Sequence, residues 1–357
     1  MDARVSLVLR ERSPRRLPLA ELGQSLKLSP GPLRCALEEL ASLGFTVEMH
    51  PMLGLRLTGV PQEILEEEVA CDLAVRRIGR RVRCVESTAS TNDLAWEAAA
   101  RGPEEADGLA IFAEHQSAGR GRRGNRWLAP PHSSILCSVV VWLPHPPPSP
   151  TPRARRGSVG LYLNAPRCSR SGLDLLPQRA WPAVLTRGAA LAAALAIEDR
   201  CGVSTGIKWP NDLVAEDRKI GGILVEARPV AGEAGPVVIG IGLNCTQGPE
   251  AFPPEIRGRV ASLGMFGEDP DRTLLARSLL LRLDEVLGRM AEPAGRAVVS
   301  KDAAARCRTL GRQISVKEGQ AVYTGEVIDL DADYGLILRL PEGCIRRFHA
   351  MTTQVVG

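Results

Sequence analysis

The stretch Gly119-Arg120-Gly121-Arg122-Arg123-Gly124-Asn125-Arg126-Trp127 decides how this chain of 357 residues is read. Its glycines remove side chains and free the backbone dihedrals. Its arginines offer forked donors that match phosphate and carboxylate oxygens. A bare run of arginine and glycine usually belongs to a disordered, RNA-binding tract. Here the run is one short turn that follows an apolar, strand-like segment and ends in Trp127. The reading is therefore a loop on a folded enzyme, mobile when empty, able to wrap an anionic ligand and exclude water.

Working outward, three more segments follow in order: Lys208-Trp209-Pro210-Asn211-Asp212, then Arg218-Lys219-Ile220-Gly221-Gly222-Ile223-Leu224-Val225-Glu226, then Gly240-Ile241-Gly242-Leu243-Asn244. Upstream, Ser90-Thr91-Asn92-Asp93 precedes an alanine-rich helical run and reads as a capping box from Ser90 to Asp93. Gly221, Gly222, Gly240 and Gly242 mark strands where a flat ligand can approach backbone, or where strands simply pack closely.

Together these segments resemble the biotin–protein ligases, including members that double as biotin-operon repressors. The resemblance runs from about Ser87 to Asn244 and more faintly to the C-terminus. It implies that biotin is activated with ATP and Mg2+ to biotinyl-5'-AMP and passed to a lysine of a biotin carboxyl carrier protein, a subunit of acetyl-CoA carboxylase. Two anions must meet in that reaction, so cations are needed between them. The resemblance gives this part to Lys208, a compact charge with three donors, with Arg120 and Arg122 as further catalytic groups. It places Ser90, Thr91, Asn92, Gln116, Gly119, Arg120, Arg122, Lys208, Gly222, Gly240 and Gly242 around biotin. Arg122, Arg123, Trp127, Asn211, Lys219 and Asn244 fall to the nucleotide side. Asn125 departs from the basic residue often seen there. No metal ligands are assigned, and His50, His115, His132, His145 and His349 show no catalytic spacing. Two other readings stay open: a lipoate–protein ligase-like enzyme, and a biotin-sensing DNA-binding regulator without catalysis.

Composition is ordinary for a globular protein, with 44% hydrophobic and 24% charged residues. A net charge of +4 does not by itself argue for nucleic acid or membrane. Met1 to Arg16 lacks the apolar core of a secretory signal, and the apolar run Gly188 to Ile197 is too short to span a bilayer. Nine cysteines without a CxxC pair read as small buried residues of a reduced, cytoplasmic protein. No membrane partner is expected.

The predicted fold class is α+β, in three parts. Residues 1–62 carry helical leucine spacing, a turn at Leu28-Ser29-Pro30-Gly31-Pro32 with Ser29 placed to cap the next helix, and two strand-like pieces, 45–49 and 54–58. This resembles a winged helix-turn-helix. Its second helix offers Arg34 against Glu38 and Glu39, and residues 1–62 hold eight basic against six acidic side chains. Operator DNA and a docking or dimerisation role are therefore both open, and the resemblance admits a ligand-linked homodimer. Residues 63–305 alternate strand-like and helical runs, and the resemblance makes them a class II synthetase-like catalytic α/β domain. Within it, residues 144–177 hold eight prolines and five arginines and read as a mobile surface insertion. Residues 306–357 carry short alternating runs between Gly and Asp turns. They resemble the family's SH3-like barrel.

Overall fold

A computed structural model describes residues 2–143, 181–228, 235–331, 333–350 and 352–356. The insertion read over 144–177 lies outside the described residues.

The chain opens with helices α1 (Ala3–Arg12), α2 (Leu19–Leu26) and α3 (Pro30–Ser42), then the antiparallel hairpin β1 (Thr46–His50) and β2 (Gly54–Gly59). The leucine spacing turns Leu22, Leu33 and Leu40 inward, where they meet Val5, Leu9, Leu55 and Leu57. Lys27 adopts the left-handed conformation that closes α2. Ser29 stands at the α3 N-cap, but its side chain makes no capping bond, contrary to expectation; Pro30 and Pro32 in the first turn need no donor partner.

A short helix α4 (Glu66–Ala70) leads into the large sheet. Its strands are β3 (Arg81–Thr88), β4 (Leu109–Gln116), β5 (Ser134–Trp142), β6 (Gly206–Lys208), β7 (Asp212–Ala215), β8 (Arg218–Ala227) and β9 (Pro236–Asn244). They lie in the order β3-β4-β5-β9-β8-β7-β6, and only the β3–β4 pair is parallel. Alternation sends Ala110, Phe112, Val139, Val141 and Ile239 to one face. There they meet α7 (Trp181–Cys201) and α8 (Arg272–Arg289). Ile111, Val140 and Val238 point the other way, onto Ala95, Trp96 and Ala99 of α5 (Thr91–Ala99). A four-residue helix, α6 (Pro103–Ala106), connects α5 to β4. Helix α7 is buried on nearly every side, because the sheet covers one flank and α8 the other. Its alanines permit that close approach.

Helix α9 (Pro293–Ala305) returns the chain to β10 (Gln313–Glu318), β11 (Ala321–Leu330), β12 (Leu336–Arg339), β13 (Ile345–Phe348) and β14 (Thr353–Val356). These form an antiparallel sheet in the order β13-β12-β11-β10-β14. Its core of Val316, Val327, Leu336, Leu338 and Phe348 also takes in Trp209 from the large sheet's side.

The N-terminal helices are fastened to the body by charge. Arg10 of α1 is buried and forks onto Glu68 of α4 at 2.8 and 2.9 Å, while its other nitrogen reaches Asp271 at 2.7 Å. Asp271 also caps α8 through the Leu274 amide. Among the described cysteines only Cys137 and Cys245 are buried; Cys35 and Cys344 are exposed, which corrects the expectation that all are small core residues. Burial pushes the Cys245 thiol up to about 12. No helix among the described residues is long and apolar enough to cross a membrane.

Candidate active site

The arginine loop, the start of α5 and the middle of the sheet enclose a cavity of about 390 Å³. One end is polar and uncharged. Ser90, Thr91 and Asn92 arrive on the first turn of α5, and Gln116 at the end of β4. Gln116 Oε1 accepts from the Thr91 amide at 2.7 Å, so a glutamine from the neighbouring strand satisfies the first turn. The expected capping bond from Ser90 is not made. Ser138 on β5 sits beneath, its Oγ 2.7 Å from Thr91 Oγ1 and 2.6 Å from Asn92 Oδ1.

The floor is β8 and β9, where Gly222, Gly240 and Gly242 line the cavity. Two of these must be glycine for want of space. A Cβ on Gly240 would lie 2.5 Å from Asn92 Oδ1, and one on Gly242 would lie 2.7 Å from the Trp127 ring. Trp127 therefore lies flat against the strand and carries Lys219 above it, the ammonium 5.8 Å from the ring centroid.

The other end is cationic. Among the described residues, Arg120, Arg122, Arg123, Arg126, Lys208, Lys219 and Arg259 line the cavity, against a single carboxylate, Asp212. Asp212 pairs with Lys219 at 2.7 Å. Lys208 ends β6, on the turn that continues through Trp209. That turn is held from behind: Trp209 Nε1 donates to the Tyr334 carbonyl at 3.0 Å, and Thr309 Oγ1 accepts from the Trp209 amide at 2.9 Å. Six other basic side chains around one cavity make it a strong trap for anions.

The loop is tied down at several points. Arg120 forks onto Asp93 at 2.7 and 2.8 Å, and its hydrogen bonds hold the Asp93 carboxyl below the usual range. Arg122 donates to the Ala350 carbonyl and, at 3.4 Å, to Asn211 Oδ1. Arg123 reaches Gln354 at 3.5 Å. Burial first, and the charge of Arg123 second, make it harder for Arg122 to stay charged. A cation so placed gains from an arriving anion.

Residues 84–244 match the biotin/lipoate A/B protein ligase family. The biotin--[acetyl-CoA-carboxylase] ligase of Mycobacterium tuberculosis is 33% identical over 248 residues, which cover 67% of this chain and 75% of that protein. The chain belongs to the biotin/lipoate A/B protein ligase family. Within it, the bifunctional ligase/repressor BirA of Bacillus subtilis is 30% identical over 246 residues, and the match spans 65% of that protein's length. The fold agrees with the biotin protein ligase from Aquifex aeolicus in complex with biotin and ATP, with a TM-score of 0.57 at 20% identity over 78% of this chain and 99% of that one.

Most residues singled out from this ligase family's motifs converge here: Ser90, Thr91, Asn92 and Gln116, then Arg120, Arg122, Arg123 and Trp127, then Lys208, Asn211, Lys219 and the three floor glycines. Two do not line the cavity. Gly119 stands behind the loop, where a Cβ would meet the Trp127 carbonyl at 2.6 Å. Asn244 is buried and donates to the Ala261 carbonyl at 3.0 Å, so its side chain ties the end of β9 to a later loop instead of facing a nucleotide. Sequence reasoning missed Arg259, Glu226 and the wall of Thr353, Gln354 and Val355 from β14. One group among the described residues, Glu63, Glu86 and His132, has metal-ligand spacing, and none of it lines the cavity.

Proposed function

We propose that the protein activates biotin with ATP and transfers it to a lysine of a biotin carboxyl carrier protein. The observation that carries this reading is Lys208, standing in a cavity with an uncharged polar end and a strongly cationic one. A ring with neutral donors and acceptors suits the first end, and a carboxylate beside a triphosphate suits the second. Lys208 would neutralise charge as a biotin carboxylate oxygen attacks the α-phosphorus and pyrophosphate leaves. The carrier's lysine nitrogen would then attack the acyl carbon of biotinyl-AMP and release AMP. ATP would arrive as its Mg2+ complex; among the described residues Asp212 is the one lining carboxylate that fits the ion, whose other ligands would be phosphate and water. The test is ATP-dependent transfer of labelled biotin to a carrier domain of acetyl-CoA carboxylase. Preferential transfer of lipoate would sink the substrate assignment.

The loop's role separates from that of Lys208. Arg122 would grip the adenylate through a charge-assisted bond of the kind worth about 1.5–3 kcal/mol. Arg122→Gly is expected to keep making biotinyl-AMP but to hold it roughly ten- to hundredfold less tightly. The released mixed anhydride would then label lysines of a bystander protein. Consumption of ATP without more bystander labelling than the wild type shows would remove the loop's role as a lid.

We further propose that the chain divides into residues 1–62, 63–305 and 306–357, with a winged helix-turn-helix at one end and an SH3-like barrel at the other. Three helices and a hairpin support the first, and five antiparallel strands the second. On this reading the protein acts as a biotin-responsive repressor, and ligand promotes its homodimer. Because α3 exposes Glu38 and Glu39 beside Arg34, retention of its own promoter DNA should be weak, adenylate-dependent and lost steeply with salt. No retention even with biotinyl-AMP would leave residues 1–62 a docking module. The described cysteines are all free, which supports a reducing, cytoplasmic setting.

A further inference from the structure

We infer that Asp93 is a positioning residue: it bolts Arg120, and with it the neck of the arginine loop, to helix α5, so that Arg120 holds the loop and leaves the ligand's charge to Arg122 and Arg123. The inference rests on the biotin reading above and divides the loop's arginines by what they do within it.

The loop is a small hairpin. Arg120 and Arg126 form an antiparallel bridge. The Gly121 amide donates to the Asn125 carbonyl at 2.7 Å, and the Trp127 amide donates to the Gly119 carbonyl at 2.9 Å. One leg of the neck is seated by Trp127, whose ring lies against Gly242. The other leg is seated by Arg120, which forks onto Asp93 with both terminal nitrogens and has Glu226 Oε2 3.9 Å away. Asp93 directly follows Thr91 and Asn92 on α5, so the turn that lines the polar end also carries the bolt.

Charge separates Arg120 from its neighbours. Its guanidinium faces two carboxylates. Arg122 instead reaches the Ala350 carbonyl and Asn211 Oδ1, and Arg123 reaches Gln354 Oε1, all neutral acceptors. Hydrogen bonding to Asp93 pushes the Arg120 pKa up, whereas burial pushes that of Arg122 down. An anion entering the cavity therefore gains most from Arg122, whose hydrogen-bond partners are neutral, and least from Arg120, whose charge is already met. The Arg120 and Asp93 side chains are 38% and 42% exposed, so the bolt is a modest one and its loss should cost a few-fold in retention, not abolish it.

The experiment follows release of labelled biotinyl-AMP, formed on the full-length chain, after a chase with excess unlabelled biotin and ATP. Wild type is compared with Asp93→Asn, Asp93→Glu, Arg120→Met and the double variant Asp93→Asn with Arg120→Met. Asp93→Asn should speed release about two- to fivefold, the range of a partly exposed ion pair. Its single-turnover formation of biotinyl-AMP should stay within about twofold of wild type, because the bolt touches no reacting atom. Asp93→Glu keeps the charge and should restore most of the retention. Arg120→Met should speed release by the same factor as Asp93→Asn, and the double variant by no more than either, since both changes remove one contact. Added salt should narrow the gap between wild type and the variants. Only folded protein holding the adenylate reports a release rate, so general loss of stability does not imitate these results. Two results overturn the inference. One is release from Arg120→Met about tenfold or more faster than from Asp93→Asn, with additive effects in the double variant, which would put Arg120 on the ligand. The other is unchanged release in both single variants. If the wild type makes no biotinyl-AMP, this inference and the biotin reading both fall; if it makes and holds it but either overturning result appears, only this inference does.

Discussion

Lys208→Ala is expected to slow formation of biotinyl-AMP by roughly 30- to 1000-fold, ~2–4 kcal/mol of lost charge stabilisation in the transition state. The variant should remain folded, because the Lys208 side chain is exposed to the cavity and Trp209 beside it keeps its two hydrogen bonds. Biotin affinity should fall much less than the rate, since the polar end around Thr91 and Gln116 is untouched. Pyrophosphate release in a single turnover measures the first step directly. Wild-type rates in Lys208→Ala would take this residue out of the mechanism. They would also shift attention to Lys219, the other ammonium lining the cavity.

A second large effect is structural. Arg272→Met should destabilise the protein by about 3–5 kcal/mol, because it strands a buried carboxylate. Glu114 and Arg272 have side chains only 6% and 7% exposed and meet at 2.8 Å. The same guanidinium donates to the Ser134 carbonyl at 2.9 Å and to the Gln62 carbonyl. Glu114 in turn accepts from the Ile64 amide at 2.5 Å, so the segment joining the N-terminal helices to the sheet hangs on this pair. Denaturant titration reads the loss. Adding Glu114→Gln should return part of it, because a neutral amide costs less to bury than an unpaired charge. A loss below about 1 kcal/mol would place the pair in the class of weak surface bridges.

Much of this was legible in the sequence, for a physical reason. Residues that must share one cavity came in short runs at the ends of strongly patterned elements, and β4, β5, β8, β9, α7 and α8 carry unbroken apolar patterns. Where the pattern was thin, reading failed. Strand β3 exposes Arg81, Arg83 and Glu86 at the edge of the sheet, and α9 buries only Val299 and Ala303, so neither announces itself. Strands β6 and β7 have three and four residues, too short for any period to register. Contacts made across distance left no trace in the motifs. Glu226 closes one of the quoted segments, yet its carboxylate accepts from Asn92, 134 positions away. The capping box at Ser90 is not made because the Asp93 amide bonds the Ser90 carbonyl instead, while the sheet brings Gln116 to the Thr91 amide. Asn244 matched a motif, but the end of β9 turns its side chain inward to Ala261.

Trp209 gives the turn beside Lys208 an unusual dependence. Its ring belongs to the small C-terminal core with Tyr334, Val316 and Phe348, while its backbone continues from β6 of the large sheet. Arg122 leans on the same sheet through Ala350. Five short strands with exposed edges open more readily than seven backed by two helices. On warming, the lysine and the arginine loop would lose their footing while the larger sheet was still intact. Heat inactivation would then precede the main melting transition, and biotin bound at the other end of the cavity would protect the bulk of the fold better than it protects the reaction.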